Sequence, residues 1–431
     1  MKKTIFSSIG ILIVSLSSFV AAADVYVGVE KNGGTESRIS LSDFSAYTGE
    51  KSEKQTAADF RDAVRLDLMN SRRFYIFEDS GTAAGADMTA ESLNTWKKSA
   101  PYLVTGSMRL TGEKWVFSGR IYKFGEDNNI KYFEKKLSGD MKTLQKGAHI
   151  FSDYVIEKIT GSRGISNTKI AFINDGTGHK EVYVADYDGS NVKRITSDNS
   201  IDLLPKWSRK SNKLYYTTYR WGNPDMVEID FSAGQIKPFS SYQGLNVAGD
   251  FSPDGSSMTV TLSHGGDPSV YTVGLNGKKH SKLISNYGIT TSPSWSPDGN
   301  EIVFVSDVSG NPQIHVKNLA TGKTRRVTNM NWCDSPAWSP SGQWIVFSGR
   351  ETSKEKFNIF ITDTTGSQII RLTSGAGNNE NPVWSPDGRF LAFTSSRNGG
   401  KEIFVMDADG SAQHRLVNIK GDSYTPSWSG F

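Results

Sequence analysis

Four basic side chains recur at one register of the sequence, and together they could bind carboxylates. Each lies 12 or 13 residues after an aromatic residue that begins a repeated motif: Arg220, His264, Arg350 and Arg397. The planar guanidinium of arginine binds a carboxylate through two parallel hydrogen bonds. We therefore expect a partial basic ring that binds an acidic or polar protein segment. The alternative is an unrelated solvated charge in each loop.

The repeated motif itself carries carboxylates, which could serve as metal ligands or catalytic acids. It reads Trp-Ser-Pro-Asp-Gly at 295–299 and 384–388, and Phe-Ser-Pro-Asp-Gly at 251–255. Proline followed two residues later by glycine is the chemistry of a type I turn. Because the aspartates fall one per repeat, at separate turns, we interpret them as turn residues and not as a shared site.

The spacing of these motifs identifies the fold. Their lead aromatics are 43 to 46 residues apart, a period typical of four-stranded β-propeller blades. These aromatics are Trp207, Phe251, Trp295, Trp338, Trp384 and Trp428. Only three strands are expected between Lys169 and the first motif, and one lone strand remains at 425–428. The sequence therefore predicts a six-bladed propeller that is closed by its C-terminal strand.

The predicted fold class has two domains, a small N-terminal α/β domain followed by the propeller. Residues 1–23 resemble a cleaved signal peptide, with Lys2 and Lys3 before an apolar stretch and three alanines at its end. We assign 24–161 to the N-terminal domain, 162–168 to a linker and 169–431 to the propeller. A three-stranded meander is expected within 102–137, and an amphipathic helix at 141–160 should end at Gly161.

Composition argues against several classes of partner and cofactor. The net charge of +4 comes without a block of Lys and Arg, so no nucleic-acid partner is expected. No stretch after the signal peptide is apolar enough to span a bilayer, so the mature chain should not be embedded in a membrane. The single cysteine, Cys333, is expected to be a buried hydrophobic side chain.

Metal and catalytic motifs were sought and not found. None of the six histidines has a second His or Cys at metal-ligand spacing, and we expect His149 to be an exposed or half-buried helix residue. No Gly-x-Ser-x-Gly, phosphate loop or His-Glu-x-x-His is present. The sequence thus predicts a protein that is not an enzyme and holds no cofactor. A periplasmic propeller hydrolase or glycan-binding protein stays open as the alternative.

The propeller mouth is the expected binding surface, because its loops are longer and more varied than the opposite turns. Residues in the connections before the lead aromatics should flank the basic ring there. They are Leu203, Asn246, Ala248, Thr291, Asp334 and Glu380.

Three stretches resemble the TolB family of the Tol–Pal envelope system. They are the helix end Ile159-Thr160-Gly161, the strand Ile170-Ala171-Phe172, and the segment 184–189, which reads Val-Ala-Asp-Tyr-Asp-Gly. The resemblance implies a periplasmic scaffold without catalysis that supports outer-membrane invagination at division and envelope integrity. It implies a Pal-like peptidoglycan-associated lipoprotein at the propeller mouth, with other outer-membrane proteins as further partners.

The resemblance also implies that the mature N-terminus contacts a TolA-like inner-membrane protein. The residues concerned are Asp24, Val25, Tyr26, Val27, Gly28 and Val29. Their alternation of apolar and small residues suits addition as an edge strand to a partner sheet. The alternative is an ordinary first strand of the domain.

Overall fold

The structure is a computed structural model that describes residues 36–84, 88–125, 130–210, 212–275, 280–284, 288–375 and 377–431. The predicted signal peptide and the predicted TolA-contacting segment both lie outside these residues. The domain boundaries at 24–161, 162–168 and 169–431 stay predictions.

The N-terminal domain is built on a five-stranded sheet of order β2-β1-β3-β4-β5. Its strands are β1 (Ser37–Ala46), β2 (Phe74–Ala84), β3 (Tyr102–Thr111), β4 (Lys114–Phe124) and β5 (Ile130–Asp140). Strands β3 to β5 form the predicted antiparallel meander. Strand β1 pairs in parallel with β2 and β3 and was not predicted. Its four serines and few apolar residues give it a weak strand pattern.

Helices α1 (Lys51–Asn70) and α3 (Leu144–Thr160) pack on this sheet, and α2 (Ala90–Lys97) precedes β3. A short 3₁₀ turn, Met141–Thr143, leads into α3. The rings of Phe60 and Phe117 lie 4.3 Å apart between centroids, and those of Phe117 and Phe151 lie 4.9 Å apart. A Cβ on Gly119 would come within 2.3 Å of the Phe151 ring, so only glycine admits this close packing of aromatic side chains.

Helix α3 ends at Gly161 as predicted. This glycine has φ 75°, a left-handed conformation that favours glycine, and its N–H donates to the carbonyl of Glu157 at 2.9 Å.

Six four-stranded sheets follow, which confirms the predicted propeller. The first blade contributes β6 (Lys169–Asn174), β7 (Glu181–Asp186) and β8 (Lys193–Arg194), and the second β9 (Asp202–Trp207), β10 (Lys213–Thr218), β11 (Asp225–Asp230) and β12 (Gln235–Ser240). The third comprises β13 (Asn246–Phe251), β14 (Ser257–Leu262), β15 (Ser269–Gly274) and β16 (His280–Lys282), and the fourth β17 (Thr290–Trp295), β18 (Glu301–Ser306), β19 (Gln313–Asn318) and β20 (Thr324–Arg326). The fifth comprises β21 (Trp332–Trp338), β22 (Trp344–Arg350), β23 (Asn358–Asp363) and β24 (Ile369–Arg371). The sixth comprises β25 (Asn379–Trp384), β26 (Phe390–Ser395), β27 (Glu402–Asp407) and β28 (His414–Arg415), and β29 (Ser423–Trp428) is last.

The C-terminal strand completes the first blade, as the sequence predicts. That sheet has the order β29-β6-β7-β8, and β29 pairs antiparallel with β6 from Ser423 opposite Asn174 to Trp428 opposite Ile170. One hydrogen bond beyond the ladder extends the closure, from the N–H of Ser429 to the carbonyl of Lys169 at 2.8 Å. The seam between the two ends of the propeller is thus held by a full strand.

The motif aspartates stabilise turns and do not meet one another. Asp254 accepts hydrogen bonds from the Ser252 hydroxyl at 2.6 Å and the Ser256 N–H at 3.0 Å. These hydrogen bonds lower the pKa of Asp254 to about 2. Asp298 and Asp387 accept the same serine hydroxyl bond, each at 2.6 Å. Their role is structural, as the turn chemistry indicates.

The turns that follow the inner strands, and those between third and fourth strands, share one face of the propeller, which we call the turn face. The N-terminal domain contacts this face through ion pairs between Arg72 and Asp407 at 3.1 Å and between Arg73 and Asp387 at 3.5 Å. A hydrogen bond between Gln145 and Ser190 at 2.9 Å joins it to the first blade. The domain therefore bridges the first blade, which contains the seam, and the sixth blade.

A buried polar cluster lies at the centre of this contact. Asp67 of α1 accepts hydrogen bonds from the Tyr187 hydroxyl at 2.8 Å and from His149 Nδ1 of α3 at 2.9 Å. All three side chains are at most 7% exposed. The expectation that His149 is exposed or half-buried is therefore wrong, because its helix packs against both α1 and the turn after β7. Charge and hydrogen-bonding groups from three elements are thus sequestered together.

The cluster predicts a pH-dependent contribution to stability. Burial alone would lower the pKa of His149, but the hydrogen bond and charge of Asp67, with Asp186 and Asp188 nearby, raise it above its ordinary value. A raised folded pKa gives a contribution that is complete below the unfolded value of about 6.5 and is lost as the pH rises through the folded value. We therefore expect His149→Gln to cost more unfolding free energy at about pH 6 than at about pH 8.5.

Urea unfolding of the protein and the variant at both pH values measures this difference. Each unit by which the folded pKa exceeds the unfolded one is worth about 1.4 kcal/mol. The matched control is His414→Gln, because His414 is exposed on the sixth blade. A cost of His149→Gln that is constant or grows with pH contradicts the prediction.

Candidate functional site

The face opposite the turn face carries the loops between second and third strands and the connections between blades; we call it the mouth face. Arg220 lies there, directly after β10. Its Nε donates to Asp198 Oδ2 at 2.7 Å, and its guanidinium lies 5.7 Å from the Trp221 ring. Because the carboxylate of Asp198 already neutralises it, Arg220 offers less charge to a partner than its position in the sequence suggests.

Arg350 keeps its charge available. Its Nε donates to the neutral Asn331 side chain at 3.0 Å, and its guanidinium lies 5.2 Å from the Phe357 ring and 5.7 Å from the Trp332 ring. Within the described residues, no carboxylate pairs with it. A half-buried, ring-supported arginine of this kind is fixed in position before a partner arrives, so less side-chain entropy is lost on binding.

Arg397 occupies the equivalent place on the next blade. It donates to the Ser395 hydroxyl at 2.8 Å and to Asn379 Oδ1 at 3.1 Å, and it lies 4.3 Å from the Phe404 ring centroid. Partial burial lowers the pKa of Arg397, and no described carboxylate pairs with it. Since blades five and six are adjacent, Arg397 and Arg350 are two neighbouring positive charges on the mouth face that no described carboxylate neutralises.

His264 is exposed on the third blade, within a group of aromatic rings. Its ring centroid lies 5.1 Å from that of Tyr242, 5.3 Å from that of Tyr271 and 5.5 Å from that of His280. The four residues predicted to form a basic ring thus lie on four blades in different surroundings. Two carry free charge, one is ion-paired and one is part of an aromatic cluster.

Of the six residues expected to flank the ring, four remain accessible. Leu203, Thr291, Asp334 and Glu380 are partly exposed on their innermost strands. Burial raises the pKa of Asp334, although the N–H of Ser335 donates to its carboxylate at 2.5 Å and favours the charged form. The mouth of the channel therefore carries carboxylates as well as arginines.

Asn246 and Ala248 were expected to face a partner, but both side chains are buried. Asn246 is fully buried, and its amide donates to the carbonyls of Tyr242 at 2.6 Å and Gly244 at 2.9 Å. Its Oδ1 accepts from the Ser240 hydroxyl at 2.8 Å. Ala248 is only 4% exposed. These side chains shape the connection into the third blade and are not presented on the mouth face.

Exposed apolar residues on the mouth face were missed by the sequence analysis. On the second blade, Ile201, Tyr219 and Trp221 are 45%, 38% and 51% exposed, and the Tyr219 N–H donates to the Ile201 carbonyl at 3.0 Å. Exposed tryptophan and tyrosine are the residue types that dominate binding energy at protein interfaces. The aromatic residues Tyr219 and Trp221 on both sides of Arg220 are the sequence signal for this patch.

The innermost strands surround a central channel and carry a recurring bulge. In five of these six strands a non-glycine residue with φ between 51° and 54° precedes a proline. These residues are Leu204, Ser292, Ser335, Asn381 and Thr425. The bulge removes two residues of the innermost strand from the hydrogen-bond ladder. Because proline has no N–H, its position in the bulge leaves no unpaired donor. The result is a channel wall lined by prolines, enclosing a cavity of about 710 Å³.

A family model described as the TolB beta propeller domain matches residues 156–431. The chain belongs to this TolB family. The match begins in the last turns of α3 and covers every propeller blade, including the closing strand β29.

Individual relatives agree with the family. The Tol-Pal system protein TolB of Desulfosudis oleivorans is 32% identical over 221 residues, and that of Geobacter sulfurreducens is 35% identical over 210 residues. These alignments cover 50% and 48% of this chain, and the chain spans about half the length of the curated relatives it matches. The crystal structure of TolB from Acinetobacter baumannii superposes with a TM-score of 0.75 at 24% identity, covering 92% of this chain and 98% of that one. At this identity the likeness establishes the shared fold.

Among the residues that the structure describes, no group of three or more His, Cys, Asp or Glu is placed to hold a metal ion. No described helix combines the length and the apolar character needed to cross a membrane. Cys333 is fully buried, as predicted, and this burial raises its pKa to about 12, so the thiol is unreactive.

Proposed function

We propose that this chain is the periplasmic, non-catalytic scaffold of a Tol–Pal complex that spans the envelope. In this role it binds a Pal-like peptidoglycan-associated lipoprotein at the mouth face and supports outer-membrane invagination at division and envelope integrity. The TolB family match carries the proposal, and the relatives named as Tol-Pal system proteins support it.

The mouth face suits a protein partner. The N-terminal domain contacts the turn face, and the contacts of its described residues leave the opposite face uncovered. That face combines the free cations of Arg350 and Arg397 with the exposed aromatics Tyr219 and Trp221. Aromatic anchors with arginines around them are the usual composition of a protein-binding surface. An acidic segment of the lipoprotein would complement the two arginines.

The mature N-terminus is the proposed contact for a TolA-like inner-membrane protein. Residues 24–29 would add as an edge strand to the partner's sheet, where main-chain hydrogen bonds supply affinity and alternate side chains supply specificity. Binding at this segment and binding at the mouth face would be coupled reciprocally, each partner changing the other's affinity by the same factor.

The double substitution Arg350→Glu with Arg397→Glu tests the mouth face. Both arginines lack an intramolecular carboxylate partner among the described residues, so reversing their charge should repel an acidic segment. We expect the affinity for the soluble domain of the lipoprotein to fall by about tenfold or more, equivalent to about 1.4 kcal/mol. Isothermal titration calorimetry measures this loss.

A matched control reverses two charges away from the mouth face. Lys282 and Arg326 are exposed on the outermost strands β16 and β20, and Lys282→Glu with Arg326→Glu should change affinity by less than about twofold. Equal losses in both double variants would exclude the proposed contact.

Co-purification from envelope extracts tests the function itself: failure to retrieve a lipoprotein, together with a glycan bound in the channel, would favour the hydrolase or glycan-binding alternative.

A further inference from the structure

The central channel is a charged cavity, and its lining includes Thr291 beside the mouth face. Its volume of about 710 Å³ lies within the range of small-molecule sites, about 300–1,000 Å³. The lining reaches from the bulges of the inner strands to the turn face. Four basic residues and one acidic residue line it, namely Arg163, Lys206, Arg209, Lys210 and Asp250. The cavity thus has an excess of positive side-chain charge.

Most of these charges already have partners. Asp250 accepts from Arg209 at 2.7 Å, from the Ser294 hydroxyl at 3.0 Å and from the N–H of Trp295 at 3.0 Å. Lys210 donates to the carbonyl of Asp254 at 2.8 Å, and the Arg163 guanidinium lies 5.5 Å from the Phe431 ring. The three donors to Asp250 converge on its Oδ2, and the Phe251 N–H donates to its Oδ1 at 2.8 Å.

Lys206 is the channel cation without a partner. It lies on β9 opposite Tyr215, and among the described residues its ammonium has neither an ion pair nor a hydrogen bond. The surrounding walls lower its pKa by desolvation, although the charge of Asp250 opposes this effect. Lys206 is half-buried in the channel wall, and a partly desolvated charge without a counterion would be stabilised by a bound anion.

The lysine is exceptional among equivalent residues. The residue directly before each lead aromatic is Lys206, Asp250, Ser294, Ala337, Val383 or Ser427. Two of these, Ser294 and Ser427, accept the N–H of a neighbouring blade's tryptophan at 3.2 Å and 3.1 Å, as Asp250 does. A lysine cannot accept such a bond, so packing between blades does not explain its presence.

We propose that the channel binds a small carboxylate-bearing ligand with an apolar body, and that Lys206 pairs with its head group. A single ammonium on a flexible stem suits one compact anion, and the neighbouring Arg209 is already paired with Asp250 at 2.7 Å. The prolines of the bulges, Pro205, Pro293, Pro336, Pro382 and Pro426, line the space for the apolar body. This site goes beyond the partner binding proposed for the mouth face.

A pair of probes that differ only in charge tests the site. The probes are 4-phenylbutanoate and its neutral amide, 4-phenylbutanamide, titrated into the full chain with ligand-observed NMR or calorimetry. The acid should bind with a Kd about tenfold lower than that of the amide. Lys206→Met should remove this preference, and Lys206→Arg, which keeps the charge, should retain most of it.

The control is Lys193→Met, because Lys193 is exposed on β8 at the outer edge of the first blade. It should leave the preference unchanged, and circular dichroism confirms that each variant is folded. Equal binding of acid and amide, the absence of saturable binding of the acid, or a preference that persists in Lys206→Met would each overturn the proposal. These titrations contain no protein partner, so their outcome does not test the binding proposed for the mouth face.

Discussion

Replacing Asp67 with alanine is expected to lower the free energy of unfolding by about 3–5 kcal/mol, the cost typical of removing one partner from a buried charged pair. The carboxylate of Asp67 is 2% exposed and accepts from both His149 and Tyr187. Without it, a buried imidazole and a buried hydroxyl lose their partner at once. The Nε2 of His149 already lacks a partner among the described residues, so the imidazole has no substitute.

Equilibrium urea unfolding, followed by tryptophan fluorescence and near-UV circular dichroism, measures this loss. Asp62→Ala is the matched control, since Asp62 is on the same helix with its side chain 67% exposed, and it should cost less than about 1 kcal/mol. A double-mutant cycle with Tyr187→Phe should show coupling, because both residues share one hydrogen bond across the two domains. Comparable costs for Asp67→Ala and Asp62→Ala would refute the role of the cluster.

Deletion of residues 423–431 should have a still larger effect. It removes β29, so β6 loses its ladder from Ile170 to Asn174, and the first blade loses its innermost strand. The buried apolar side chains of β6 would then face solvent. We expect the loss to approach the whole stability of a typical domain, about 5–15 kcal/mol, and to abolish cooperative unfolding of the propeller.

Hydrogen exchange of the β6 amides reports this opening directly. Amides from Ile170 to Asn174 should exchange slowly in the intact protein and near the unprotected rate after the deletion. Removing Phe431 alone is the control, since that side chain is 54% exposed and lies beyond the ladder. If the nine-residue deletion leaves cooperative unfolding and slow exchange in place, the closure does not depend on β29.

Local repetition made the propeller predictable. The same turn motif recurs along the propeller, so the positions of Trp295, Trp338 and Trp384 define the period. The number of strands then requires the C-terminal strand to close the ring. The end of α3 at Gly161 was equally predictable, because glycine favours the left-handed conformation that terminates the helix. Patterns of this kind depend on neighbours in sequence.

Contacts between distant segments were not predictable. His149 and Tyr187 are separated by 82 and 120 residues from Asp67, whose carboxylate they share, and no local pattern marks the three residues. Arg220 matched the basic register, yet its charge is neutralised by Asp198 from the preceding connection. The spacing of the basic residues in the sequence therefore predicted which face binds a partner. Whether each basic side chain is free to bind depends on its neighbours in the folded protein.

The late arrival of β29 has a consequence for biosynthesis. Asn174 of β6 pairs with Ser423, which is synthesised 249 residues later. At about 5–20 residues per second, this interval lasts roughly 10–50 s. Throughout it, an apolar strand with unpaired amides is open to any other extended chain. The yield of correctly assembled protein therefore depends on how well this nascent edge is kept from its neighbours until the tail emerges.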